Sequence, residues 1–265
     1  MVFREHPGKL TERPYNARSD VSEESVNDRI RITGGTRLNK RLISPPKSTI
    51  RPASDMIRQA VFNLLGATIK GTTFYDVFAG TGIVGIEALS RGARRAIFVE
   101  LDGQYVKLLR RNLELARFGA EASVRAGDAF VWGKHFAPEE GANIVFLGPP
   151  YPLVTEQKKR IFKLISQITA NLDDDDWLIV QIPSTMKNEE LPDFEHWVRL
   201  RKYGKTTIGI WNRNGSAGSP IWTMPGEEEE EEVEFEDDED PVSEGGDEVA
   251  EAEAETDGGD HAGSD

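Results

Sequence analysis

Between residues 67 and 214 the chain alternates two hydrophobic periods. The stretches "TFYDVFAG", "RAIFVEL", "ASVRAGD", "ANIVFLG" and "DWLIVQIP" are short and rich in apolar residues, as expected of strands buried between two layers. Among them, "GIVGIEALSRG", "GQYVKLLRRNLELARFG" and "EQKKRIFKLISQITANL" carry apolar residues at helical spacing, the first two stopping at Gly92 and Gly119. The alternation predicts an α/β fold with a mostly parallel sheet and helices on both faces. Further on, "HWVRLRKYGKTTIGIWNR" reads as two strands around Gly204, an antiparallel C-terminal hairpin that brings the sheet to seven strands. Upstream, "RIRITGGTRLNKRLISPP" alternates on either side of Gly34-Gly35 and predicts a small hairpin or extended arm. The segment "RPASDMIRQAVFNLLGATI" predicts a helix capped by Ser54 or Asp55, with Ile57, Val61, Leu64 and Leu65 as its apolar stripe.

The expected organisation is a disordered polar tail over 1–28, a basic arm and helix over 29–66, and the α/β domain over 67–214. A linker over 215–226 and an acidic tail over 227–265 complete it. The formal charge of −14 is unevenly spread. Residues 227–265 hold 21 Asp and Glu with no Lys or Arg, which leaves residues 1–226 at +7, and Arg29 to Arg58 alone contains eight basic residues and one acid. A localised basic stretch suits a polyanion; the acidic tail is too poor in apolar groups to fold alone. There is no cysteine, the four histidines lack metal-ligand spacing, and the first residues contain no apolar leader-like run. A soluble, cytoplasmic, metal-free monomer is expected.

In a parallel sheet, ligands bind just beyond the carboxyl ends of the strands. After the first strand, Gly80, Gly82 and Gly85 form G-x-G-x-x-G at the start of a helix, and Glu100 ends the next strand 20 residues after Gly80. This spacing lets backbone approach a ligand and places an acid on a ribose. Nicotinamide and flavin enzymes share the pattern. Asp76, an acid inside an apolar strand end, needs a cationic or donor partner; a methionine ammonium supplies one, whereas a pyrophosphate is repelled. Asp128, in Gly127-Asp128-Ala129, either caps a helix or accepts from an adenine amino group. After the fourth strand, Gly148-Pro149-Pro150-Tyr151 gives a rigid loop with two missing N–H donors, free carbonyls and an aromatic ring.

"DVFAGTG", Glu100, Asp128-Ala129 and "GPPY" resemble the ordered motifs of Rossmann-like class I S-adenosylmethionine-dependent methyltransferases. More narrowly, "RITGGTRLNKRL", "RPASDMIRQAVFNLL" and "FAGTGIVGIEALSRGA" are similar to the bacterial RsmD-like family, which methylates N2 of a guanine in small-subunit (16S) ribosomal RNA. The resemblance covers about residues 29–211. It implies S-adenosyl-L-methionine as cofactor, held by Asp76, Phe78, Ala79, Gly80, Thr81, Gly82, Glu100, Leu101, Asp128 and Ala129. It also implies small-subunit rRNA or a pre-30S particle as partner, with Arg31, Arg37, Lys40, Arg41, Arg51 and Arg58 along the RNA backbone and Gly148, Pro149, Pro150 and Tyr151 around the flipped base. The family places an acidic residue before the two prolines, where this chain has Gly148; Ala53, Met56 and Gln59 also depart from its pattern. A catalytically impaired homologue that binds RNA or assists ribosome assembly, and a DNA adenine methyltransferase, are the alternatives.

Overall fold

A computed structural model describes residues 29–45 and 55–215. The expected tails, Arg51, Ser54 and most of the linker lie outside the described residues. Seven strands form one sheet in the order β5-β4-β3-β6-β7-β9-β8. Their ranges are β3 Thr73–Val77, β4 Arg95–Glu100, β5 Ala122–Ala126, β6 Asn143–Leu147, β7 Trp177–Pro183, β8 Trp197–Tyr203 and β9 Thr206–Trp211. The first five pair in parallel, and β9 joins antiparallel to β7 and β8. The expected architecture is therefore the observed one.

The sheet is covered on both sides because its strands are apolar on both sides: β3 and β6 are buried at every position. One layer consists of α1 (Asp55–Leu65), α2 (Ile83–Ser90) and α3 (Gly103–Ala116), packed through Phe62, Leu65, Ile86 and Leu109 on Phe74, Phe98 and Phe146. The other contains α4 (Ala129–Lys134), α5 (Tyr151–Glu156) and α6 (Lys158–Thr169), packed through Val154, Leu164 and Ile168 on Tyr75, Val77 and Val145. The switch between layers follows from topology. The chain leaves β3 towards β4 and β5, then returns to place β6 on the other side of β3, so the order reverses at the β3–β6 pair, the place where sheets of this kind bind their ligands.

Upstream, β1 (Arg29–Arg31) and β2 (Arg41–Ile43) form an antiparallel ribbon around a 3-10 turn at Gly35–Arg37. The ribbon lies on the domain rather than standing off it. Ile32 and Leu42 enter the main core, Ser90 Oγ donates to Gly34 O at 2.6 Å, and Arg37 N donates to Ser90 Oγ at 2.8 Å. Gly35 has φ +79°, and a Cβ there would run into the backbone of Ser90, so this close approach requires glycine. All of α2 is buried, which explains why "IVGIEALS" is apolar all round: the sheet covers one side, and the arm and neighbouring helices cover the other.

Within that apolar helix sits Glu87, with no exposed surface. It accepts from Arg58 Nε at 3.2 Å and Arg91 Nη2 at 2.8 Å, and Thr33 Oγ1 also bonds it. Arg58 in turn donates to Asp55 and to the Arg31 carbonyl, each at 2.7 Å. This corrects the assignment of Arg58 to the RNA backbone: its side chain is 1 % exposed and fastens the arm to α1 and α2.

Candidate functional site

The loop after β3 is tied to its neighbours at every step. Phe78 N and Ala79 N both donate to Val99 O at 3.1 Å, and Gly148 N, at the start of the loop after β6, donates to Val77 O at 3.2 Å. Three strand tips are thus held side by side at the point of strand reversal. Phe78 has φ 67° and Gly80 and Gly82 have φ 52° and 76°, a left-handed path that glycine follows without strain and phenylalanine does not. A Cβ on Gly80 would meet nothing within 4 Å, whereas one on Gly82 would collide with Leu109. Gly80 therefore faces open space, and Gly82 permits close packing of α3.

Glu100 closes the other side of this loop. Its two oxygens accept from Gly80 N at 2.7 Å and Asp102 N at 2.8 Å. Burial raises its pKa, against the pull of these N–H groups and that of Leu101. Leu101 beside it is 70 % exposed, an uncovered apolar side chain at a strand tip. Asp128 caps α4 by accepting from Phe130 N at 2.7 Å, and its other oxygen is 3.9 Å from Arg160 Nη2. Ala129 is buried.

Asp76 finds a donor partner inside the protein. It points to the α2 side, is 1 % exposed, and its carboxylate accepts from Gly85 N at 2.9 Å. The donor that this buried acid needs is thus supplied, for that oxygen, by the backbone in the first turn of α2. Burial raises its pKa to about 7, opposed by the Gly85 N–H and reinforced by the charge of Glu100. Between its ordinary value near 3.8 and about 7, the folded protein retains a proton that the unfolded chain releases. The stability this contributes is complete below the lower value and is lost as pH rises through the upper one. Asp76→Asn should remove that dependence. Relative to the variant, the parent should lose on the order of 2–4 kcal/mol in denaturant titrations between pH 4 and 8; parallel stability curves would contradict this.

On the β6 side, Pro149 is buried, Pro150 exposed and Tyr151 half-buried. Pro150 caps α5 with extended backbone (φ −55°, ψ 136°), so Tyr151 is the first helical residue. Its hydroxyl bonds Thr206 Oγ1 at the start of β9, tying the loop to the C-terminal hairpin. A Cβ on Gly148 would lie 2.9 Å from Phe146 Cε1: the ring edge occupies the space beside the glycine.

Two residues at the site escaped the sequence reading. Phe130 meets Phe78 edge-on, with centroids 6.0 Å apart, and Arg160 lies 4.1 Å over the Phe130 ring. The aromatic directly after Asp128-Ala129 was the available signal; nothing in sequence brings Arg160 to it. Of the expected RNA contacts, Arg31 and Arg41 are directly opposite each other on the ribbon, and both are exposed. Arg31 pairs with Asp55 at 3.1 Å. Lys40 is half-buried. Arg37 turns inward, donating to Ala116 O at 3.0 Å and lying 5.4 Å over Phe118, so it completes the end of α3. Among the described residues no group of His, Asp and Glu has metal-binding geometry, and no helix is long and apolar enough to cross a membrane.

The profile of the family described as "Conserved hypothetical protein 95" matches residues 30–212. The chain belongs to this RsmD-like family. It is 30 % identical over 189 residues to the Bacillus subtilis protein titled "Putative rRNA methyltransferase YlbH", a match covering 70 % of this chain and 100 % of that one. To "Ribosomal RNA small subunit methyltransferase D" of Escherichia coli it is 32 % identical over 173 residues, covering 62 % and 79 %. Among solved structures, "Putative methyltransferase yhhF from Escherichia coli" superposes with a TM-score of 0.57 at 27 % identity, covering 71 % of this chain and all of that one.

Proposed function

We propose that this protein transfers a methyl group from S-adenosylmethionine to small-subunit ribosomal RNA, at the exocyclic N2 of a guanine. The observation that carries the reading is the loop pair at the point of strand reversal. An open glycine turn at Gly80 with a ribose-height acid, Glu100, stands beside a Pro-Pro-Tyr loop, both anchored on neighbouring strand tips. Membership of the family and the names of its relatives support the same chemistry.

The residues present suit the cofactor. Free space above Gly80 admits a methionine chain, Glu100 has lone pairs left for ribose hydroxyls, and the exposed Leu101 and half-exposed Phe130 offer apolar faces to an adenine. The cofactor supplies an electrophilic methyl on a sulfonium. The protein's task is to hold the guanine amino group in line with it and to accept that group's hydrogens, since the free lone pair is delocalised into the ring. Tyr151 would support the base once it has left its stack, and the rigid main-chain carbonyls around Gly148 and Pro149 would accept from N2. Arg31, held by Asp55, and Arg41 lie opposite each other on the ribbon and are both exposed, so one phosphate would reach both. The substrate is free small-subunit rRNA or a pre-30S particle.

Gly148 favours one second reading, a homologue that binds cofactor and RNA without transferring methyl. Incubation with labelled cofactor separates the two. Label should enter small-subunit rRNA from cells lacking the gene, and neither large-subunit rRNA nor adenine-containing DNA duplexes. Binding of both ligands with no label in RNA would favour the second reading.

A further inference from the structure

Asn112 lies on α3 with no exposed surface, and its side chain joins two parts of the protein assigned different tasks. Its carbonyl accepts from Ile43 N at 2.8 Å, and its amide nitrogen donates to Ile43 O and to Thr81 O, each at 3.0 Å. Ile43 ends β2 of the arm, two residues from Arg41. Thr81 stands in the glycine turn between Gly80 and Gly82. An amide has two hydrogens; one serves the arm and the other serves the turn. Ile43 is therefore paired as though to another strand, with Asn112 standing in for the missing backbone. Leu109, one helical turn earlier, packs against the same glycine turn, so α3 is the shared support of both elements.

We propose that Asn112 couples occupation of the arm by RNA to affinity for the cofactor. This rests on the functional reading above. The ribbon is already seated through Ile32 and Leu42; RNA bound along Arg31 and Arg41 restricts its remaining motion and so strengthens the Ile43 pair with Asn112. The second amide hydrogen then stays directed at Thr81 O, and the glycine turn, already bonded to its neighbours, has less motion left to lose when the cofactor arrives. A ligand that enters a site already ordered loses less conformational freedom, and the gain is reciprocal: cofactor tightens RNA by the same factor. Asn112 is a positioning residue, touching neither ligand.

The experiment measures the dissociation constant of S-adenosylhomocysteine by calorimetry, with and without a saturating small-subunit rRNA fragment. For the parent, RNA should tighten binding about fivefold or more. In Asn112→Ala that gain should shrink towards none, although binding of RNA alone still occurs. Asn112→Asp keeps the shape and the acceptor for Ile43 N but loses both donated bonds, and should behave alike. In the parent alone, RNA without cofactor should slow hydrogen exchange at the amides of Thr81 to Ile83, a readout that does not depend on a variant remaining folded. Equal cofactor affinity with and without RNA, a gain that survives Asn112→Ala, or unchanged exchange at the turn would each overturn the coupling. If S-adenosylhomocysteine or RNA fails to bind at all, the functional reading falls instead.

Discussion

Arg58→Ala is expected to lower the free energy of unfolding by roughly 3–5 kcal/mol, the cost of breaking a buried ion pair from one side. Three groups lose a partner together: Glu87, Asp55 and the carbonyl of Arg31. Glu87 keeps Arg91 and Thr33, which places the loss towards the lower end of that range. The effect should also reach the arm, because Arg58 is the buried link between β1 and α1. Denaturant titration of the parent, Arg58→Ala, Glu87→Ala and the double variant would give the coupling directly. The double variant should be less destabilised than the two losses summed, since the shared Arg58–Glu87 bond is counted in both single losses but can be lost only once. A stability change under about 1 kcal/mol, with weakened RNA binding instead, would return Arg58 to the surface role suggested by its sequence context.

The second large effect concerns Gly148. Gly148→Asp is expected to raise the single-turnover rate of methyl transfer by about 10²-fold, the usual worth of a positioned hydrogen-bonding group. The backbone at Gly148 is outside the left-handed region, so aspartate can adopt it. Space is the constraint. The new Cβ would lie 2.9 Å from Phe146 Cε1, and that ring is 3 % exposed and stacked 6.5 Å from Phe74. The ring must shift, at a cost of about 1–3 kcal/mol in stability. Adding Phe146→Leu should relieve the crowding while leaving the rate gain in place, which separates the chemical effect from the packing one. A folded Gly148→Asp protein that is slower than the parent would show that the carbonyls beside the prolines are the better acceptor.

The fold was largely legible because its main determinants are local. Continuous apolar strands and helices punctuated by Gly92 and Gly119 give the parallel sheet, and the two short runs around Gly34-Gly35 give the ribbon. The loops that form the candidate site were legible for the same reason, since parallel topology sends them to one edge. What stayed hidden was the destination of charged side chains. Arg58 falls three and four residues before Val61 and Phe62, on the buried face of α1, and Glu87 lies inside an apolar helix; each alone looks like an error, and only the three-dimensional pairing resolves both. Arg37 looked like an RNA contact because a run of basic residues says nothing about which of them cap a helix. The long helix expected from "EQKKRIFKLISQITANL" begins at Lys158, and a separate short helix, Tyr151–Glu156, precedes it. The separation occurs at Gln157 (φ −124°, ψ 35°), where no Gly or Pro advertises a break.

The most direct test of the account is a single-turnover reaction of the unaltered protein with methyl-labelled S-adenosylmethionine and small-subunit rRNA, followed by digestion to nucleosides. The label should be recovered as N2-methylguanosine from one site, and its yield should fall when Tyr151 is replaced by alanine. Label recovered on adenine or on a ring nitrogen, or no label in RNA although the cofactor is bound, would contradict a guanine amino group presented between the Gly80 turn and the Pro-Pro-Tyr loop.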